Sequence, residues 1–247
     1  MTAALTGRPT LSLVFPVFNE QENVGVVIDT ALRLAPKLAS SFEIVVVDDG
    51  SRDGSAGVIA ERVTGDPRVR VVTHRSNRGY GAALRTGLRE AQGDLVFFSD
   101  ADLQFDLAEL GELLHHTERF DVVAGYRAPR RDPWGRRLLA AGWGLLVRTL
   151  FDLEIRDIDC AFKVFRRPVV EAMPIESLGA FVNTEILVRA RSAGFRIHQI
   201  PVSHHPRQHG RQSGARPRVV LRALVELATL YRELRAPPVP RAREVER

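Results

Sequence analysis

Short apolar runs, LSLVFPVF (11–18), FEIVVVD (42–48), VRVVT (69–73), DLVFFSD (94–100) and DVVAG (121–125), alternate with stretches of helical period over roughly 20–36, 53–64, 79–91 and 106–117. Strands that are apolar nearly throughout have no polar face to offer to water. They are therefore buried on both sides, and strands of this kind joined by helices form a mostly parallel sheet with helices on its faces. Parallel strands end at a common edge, and in such sheets ligands bind beyond the carboxyl ends.

Two of these strands end in acids. FEIVVV runs into Asp48 and Asp49, and LVFFS into Asp100 and Asp102, so four carboxylates are expected at one edge of the sheet. In Asp100-Ala101-Asp102 the spacing of two puts both side chains on one side of an extended backbone, as a divalent cation requires. A turn capped by aspartates is the alternative.

At 247 residues, with 45% hydrophobic and 26% charged, the chain has the length and composition of one folded domain. Its single cysteine, Cys160, leaves no intramolecular disulfide and no cysteine-rich zinc site, which points to a reducing compartment. Met1 to Pro9 lacks the pattern of a signal peptide, and no apolar run reaches the length of a membrane span. The formal charge of +5 is unevenly spread. Between Glu185 and Glu226 there is no acidic residue, while Arg189, Arg191, Arg196, Arg207, Arg211, Arg216, Arg218 and Arg222 all fall there. That field suits nucleic acid, anionic lipid or phosphate, or is a solvated face of an arginine-rich protein, since lysine occurs only as Lys37 and Lys163.

After residue 126 the pattern changes. RAPRRDPWGRR (127–137) reads as a basic loop, followed by a helical stripe over 138–151 with Leu139, Trp143, Leu146 and Leu150. A second stripe over 219–234 carries Val220, Leu224, Leu227, Tyr231 and Leu234. Both are core helices or basic amphipathic helices lying on a membrane. Residues 1–215 are expected to form the main domain, 216–235 an amphipathic helix and 236–247 a disordered tail.

PVFNEQEN (16–23), VVDDGSRDGS (46–55), NRGYGAALRTGL (77–88) and SDADLQ (99–104), standing in this order, resemble family 2 glycosyltransferases of the GT-A fold, the nucleotide-diphospho-sugar transferase architecture. Within them the chain looks like the polyprenyl-phosphate sugar synthases, the dolichol-phosphate mannose and glucose synthase group, over residues 11 to about 215. The resemblance implies a nucleotide-sugar donor, GDP- or UDP-linked, whose nucleoside meets Pro16, Glu20 and Asp49. The segment carrying Asn77, Gly79, Gly81 and Ala82 is then placed near the donor, with its glycines allowing close backbone approach at a helix start. It implies Mg²⁺ or Mn²⁺ on Asp100 and Asp102, with Gln104 as a further ligand.

The acceptor implied by the group is a polyprenyl phosphate. RDIDCAFKVFRR (156–167) resembles the group's D-x-x-CGFK-x-F pattern with Ala161 in place of glycine. A phosphate monoester, with a second pKa near ~6, needs cations rather than a strong base. Arg127, Arg130, Arg131, Lys163, Arg207 and Arg211 are the candidates, the last two matching the group's R-x-x-G-x-S loop with Ser213. Asp157 and Asp159 orient these arginines or the sugar, or form a structural salt bridge. If the acceptor is instead a hydroxyl, one of them is the general base. A zinc site on His204, His205 and His209 is disfavoured by Pro206 and the surrounding arginines. Nucleic-acid binding does not explain paired carboxylates in a cleft, and no G-x-G-x-x-G follows the first strand as a dinucleotide-binding dehydrogenase requires. The expected location is cytoplasmic, peripheral on the cytoplasmic face of the membrane.

Overall fold

The protein, a computed structural model, is described over residues 9–129, 134–207 and 217–235. Its first half is β1 (Thr10–Val17), α1 (Val24–Leu38), β2 (Ser41–Asp48), α2 (Ser55–Gly65), β3 (Val69–Thr73), α3 (Tyr80–Glu90) and β4 (Leu95–Ser99), the alternation expected from the apolar runs. A turn of 3-10 helix (Leu107–Glu109) leads into α4 (Leu110–His116) and β5 (Val122–Arg127). Then follow α5 (Trp134–Phe151), β6 (Phe162–Arg166), α6 (Arg167–Ala172), α7 (Val182–Ser192), β7 (Ile197–Val202) and α8 (Pro217–Arg235).

The strands form one sheet in the order β3-β2-β1-β4-β6-β5-β7. Alternating side chains divide the core between its faces. Leu13, Phe15, Ile44, Val46 and Phe97 pack with Ile28 and Ala31 of α1 and Leu113 of α4. Val14, Val45, Val47, Phe98 and Phe165 pack with Leu84 of α3, Ile186 and Leu187 of α7 and Leu227 of α8. Each such side chain, fully buried, contributes about 1.5–3 kcal/mol. Pro16 is accommodated in central β1 because the ladder to β4 ends at Val14↔Phe98, before a donor at Pro16 is needed.

β6 is not among the strands expected from the sequence, and it decides what the functional edge contains. It runs antiparallel to both neighbours, pairing Ser99↔Phe162 and Phe98↔Lys163 on β4 and Ala124↔Lys163 on β5. An antiparallel strand starts where its parallel neighbours end, so residues 156–161 lie at the edge that carries Asp100. β7 is parallel to β5 with Arg127↔Val202 in register, and residues 203–207 leave at the same edge. The carboxyl ends of β1 to β5 and β7 and the approach to β6 therefore converge.

The helical stripes near 138–151 and 219–234 are α5 and α8. Their inner faces are core: Val147, Leu227 and Leu230 are buried, and Trp143 Nε1 donates to Thr184 Oγ1 at 3.1 Å. Phe151 meets Tyr231 edge to face with centroids 5.8 Å apart, so the two helices are neighbours. Arg189 of α7 holds α8 through Glu233 at 2.8 Å from each of two guanidinium nitrogens, and also reaches Glu185 at 2.8 Å. The outer faces stay apolar and open: Leu138, Leu139 and Leu145 of α5 and Leu221 and Val225 of α8 are between 61% and 66% exposed. No described helix is long and apolar enough to cross a membrane. Arg130, Arg131, His209, Arg211, Ser213 and the expected tail 236–247 lie outside the described residues.

Candidate active site

The loops after β1 and β2 are stitched to each other. Asn19 N–H donates to Ser51 Oγ at 3.0 Å and its Oδ1 accepts from Arg52 N–H at 2.8 Å, while Glu20 N–H donates to Ser55 Oγ at 2.9 Å. Asp48 closes its own turn by accepting from Ser51 N–H at 2.9 Å. Asp49 is buried and organises the next loop: it accepts from Arg78 N–H and Gly79 N–H, each at 2.9 Å, and pairs with His74 Nδ1 at 2.6 Å. A nucleobase N–H reaching Asp49 would have to share oxygens already engaged with the chain.

Gly79 and Gly81 allow close backbone approach at the start of α3, and the backbone they meet is the protein's own. Gly79 has φ of +103°, and a Cβ there would stand 2.3 Å from Leu178 O. A Cβ on Gly81 would stand 2.4 Å from Ser177 O, and its N–H donates to Leu178 O at 3.0 Å. Rigid backbone on the other side cannot give way, so the glycines let α3 begin against residues 177–179. Two further expected donor-site residues are also internal: Ala82 is 1% exposed in α3, and the Pro16 side is buried in β1. Exposed at the same strand end is Phe18, at 41%. Asn77 is exposed in the loop organised by Asp49.

Asp100 and Asp102 stand at the end of β4, with Leu103 following at a left-handed φ of +59°. Burial, and then the neighbouring Asp102 charge, push the Asp100 carboxyl up to about 7. Burial raises Asp102 as well, against the opposing hydrogen bond from Gln104 N–H and the charge of Arg207. Asp100 Oδ1 is buried and has no hydrogen-bond partner among the described residues. Such an oxygen is costly in a folded chain unless another group is meant to meet it.

The charges of Lys163 and Arg207 both act on Asp100. Arg207 reaches Asp102 Oδ2 at 3.4 Å and also bonds Glu20, whose other oxygen accepts from Asn23 Nδ2 at 2.6 Å. One guanidinium thus joins the loop after β7 to the loops after β1 and β4. Arg127, at the end of β5, is held by Asp157 through Nε at 2.6 Å, Nη2 at 2.8 Å and its backbone N–H at 3.2 Å. Of the arginines named as candidates, Arg127 is the one that Asp157 pairs with. Asp159 is exposed on the same loop. Lys163, expected to face an acceptor, is instead fully buried inside the sheet. Cys160 is buried too, its thiol pushed up to about 12 by desolvation, which leaves it inert packing.

The model of the family described as "Glycosyl transferase family 2" matches residues 12–173, from β1 through α6 and Met173. The chain belongs to this family. A family 2 relative, the undecaprenyl-phosphate 4-deoxy-4-formamido-L-arabinose transferase of Pectobacterium atrosepticum, is 35% identical over 166 residues, covering 66% of this chain and 50% of that protein. The protein of the same name from Edwardsiella ictaluri is 34% identical over 204 residues, covering 81% of this chain and 61% of that one. The chain therefore spans about half to three-fifths of the length of these curated relatives. Among solved structures, mannosyl-3-phosphoglycerate synthase from Rubrobacter xylanophilus superposes with a TM-score of 0.69 at 23% identity, covering 92% of this chain and 74% of that one. Glucosyl-3-phosphoglycerate synthase from Mycobacterium tuberculosis, in complex with Mn²⁺, uridine diphosphate and glucosyl-3-phosphoglycerate, gives 0.66 at 22% identity over 92% of this chain and 77% of that one. The fold is GT-A.

The residues of this family 2 site suit a hard divalent cation. Mg²⁺ and Mn²⁺ sites commonly use one or two carboxylates and take their remaining oxygens from substrate phosphates. Asp100 and Asp102 supply two carboxylates, one with a buried oxygen lacking a partner. Among the described residues no three His, Cys, Asp or Glu side chains gather closely enough to hold a metal by themselves. Gln104 is tied to the segment after β7 by its amide nitrogen, 3.1 Å from His205 O. His204 packs on Phe105 with centroids 5.7 Å apart, in the role of a core residue.

Proposed function

We propose that the chain transfers a sugar from a nucleotide-diphosphate donor to a polyprenyl phosphate, with Mg²⁺ or Mn²⁺ at Asp100 and Asp102 and with the configuration at the anomeric carbon inverted. The observation that carries this reading is the buried Asp100–Asp102 pair, with Asp100 Oδ1 lacking a partner among the described residues and Arg207 on Asp102, at the sheet edge where Arg127 ends β5. The names of the relatives support the lipid-phosphate acceptor. The cation would supply Lewis-acid stabilisation of charge on the departing nucleoside diphosphate. Asp100 and Asp102 hold it, and Asn77 and Phe18 lie where a nucleoside can rest at the edge. Arg127, fixed in direction by Asp157, and Arg207 meet the acceptor phosphate, already largely a dianion at neutral pH. A hydroxyl acceptor is the second reading, since Asp159 stays exposed at the same edge as a base.

The test is incubation of the purified chain with a short polyprenyl phosphate, Mn²⁺ or Mg²⁺ and a panel of GDP- and UDP-sugars. Lipid-linked sugar from one donor, lost on chelation and in Asp102→Ala, is the expected result. Donor binding or slow hydrolysis without any glycosylated lipid would move the acceptor to a hydroxyl compound.

The lipid acceptor also requires a membrane surface, and α5 and α8 present one side by side. Their open leucines and valines, next to Arg148, Arg222, Arg232 and Arg235, match an anionic bilayer in both polarity and charge. Flotation with vesicles of anionic phospholipid should carry the chain upward, and Leu221→Asp with Val225→Asp should cut the bound fraction at least about fivefold. Equal flotation of both proteins would remove α8 from the membrane contact.

A further inference from the structure

Lys163 is fully buried, in a sheet otherwise lined with Phe98, Phe162 and Phe165. Its Nζ donates to Ile158 O at 3.2 Å, to Cys160 O, and to Asn183 Oδ1 of α7 at 3.1 Å. It also lies 5.4 Å from the centre of the Phe98 ring, on the strand that ends in Asp100. These partners come from three parts of the site's frame: the loop between α5 and β6, α7 and β4. Ile158 and Cys160 are in the loop that carries Asp157 and Asp159, and Cys160 N–H closes that loop by donating to Asp157 O at 3.3 Å. On the far side, the Tyr80 hydroxyl faces Asn183 and Asp100, short of a hydrogen bond of full geometry to either. Lys163 therefore sits where the acceptor-side loop, α7 and the carboxylate pair come together, beneath the edge and out of reach of a substrate.

We propose that Lys163 is a positioning residue that fixes the Asp157–Asp159 loop, and through it Arg127, relative to Asp100, coupling the acceptor half of the site to the donor half. Three oxygens from two segments converge on one ammonium, and no neutral side chain of that length can satisfy them all. Burial pushes the Lys163 ammonium below the ordinary lysine value, and the charges of Asp157, Asp159 and Asp100 act against that shift. This role rests on the transferase reading for its consequence in turnover, but not for its effect on the loop.

The test uses the whole chain and two variants, Lys163→Met and the milder Asn183→Leu, which removes one of the three acceptors and serves if the first does not fold. Amide hydrogen exchange over 156–160 is read against β1 and α2 of the same molecule. Exchange at 156–160 is expected to speed up at least about tenfold, with β1 and α2 unchanged; equal protection at 156–160 overturns the proposal. With the donor and lipid phosphate found active for the parent chain, the ratio of sugar transferred to donor hydrolysed is expected to fall at least about tenfold, at an Mn²⁺–nucleoside diphosphate affinity within about threefold of the parent. That ratio does not depend on the folded fraction, so a ratio equal to the parent's also overturns the proposal. If the parent chain transfers nothing to lipid phosphate, the transferase reading falls and the exchange result alone decides the role of Lys163.

Discussion

Asp100→Asn is expected to raise the melting temperature of the metal-free chain at pH 8 and to lower sugar transfer by at least about a hundredfold. The sign follows from linkage. The Asp100 carboxyl titrates near 7 in the folded chain against an ordinary value of 3.8. Between those values the folded state holds a proton that the unfolded state has released, so stability falls as pH rises through that window. At about 1.4 kcal/mol per unit the whole effect is at most about 4 kcal/mol, and part of it belongs to the repulsion shared with Asp102. The parent chain should therefore lose stability from pH 4 to pH 8 in chelator, and the asparagine variant should lose less. At pH 4, where Asp100 is already protonated, the two should melt alike. Mn²⁺ with a nucleoside diphosphate should restore the parent at pH 8 and leave the variant nearly unmoved. A variant that melts below the parent at pH 8 would falsify the view that this carboxylate is held at the cost of stability for a cation.

The first half of the fold was legible because its signals are local. Apolar runs with helical stretches between them leave one architecture, and parallel strands bring Asp49, Asp100 and Asp102 to one edge without any knowledge of contacts. The second half was not, because β6 has an unusual composition for a central strand. FKVFR carries a lysine and an arginine, and only the structure shows Lys163 satisfied by three oxygens and Arg166 Nε donating to Thr117 O at 2.7 Å. A charge inside a strand reads as exposure unless its partners are known, and these partners are far away in sequence. The glycines of NRGYG show the opposite failure. Their need for space was visible, but the backbone they make room for, 177–179, lies about a hundred residues downstream. Tyr80 and Asn183 left no such signal, since each stands at the start of a helix that carries other polar side chains.

Asp157→Ala is expected to destabilise the chain by about 3 kcal/mol or more, which for a domain of this size lowers the melting temperature by roughly 10 °C. The side chains of Arg127 and Asp157 are 9% and 6% exposed, and they meet through two guanidinium N–H groups and one backbone N–H. Removing the carboxylate strips a buried guanidinium of a counter-charge that meets it at 2.6 Å, a far larger penalty than losing a surface pair. Replacing both partners with apolar residues of similar size, Arg127→Met with Asp157→Leu, should recover much of that loss, because neither charge then needs a partner. The double variant separates stability from function: it should fold at close to the parent's melting temperature and still transfer sugar at least about a hundredfold more slowly, since the guanidinium proposed to meet the acceptor phosphate is gone. If it folds and transfers normally, Arg127 is only a brace for the edge, and the acceptor phosphate must be met by Arg207 and the arginines beyond the described segments.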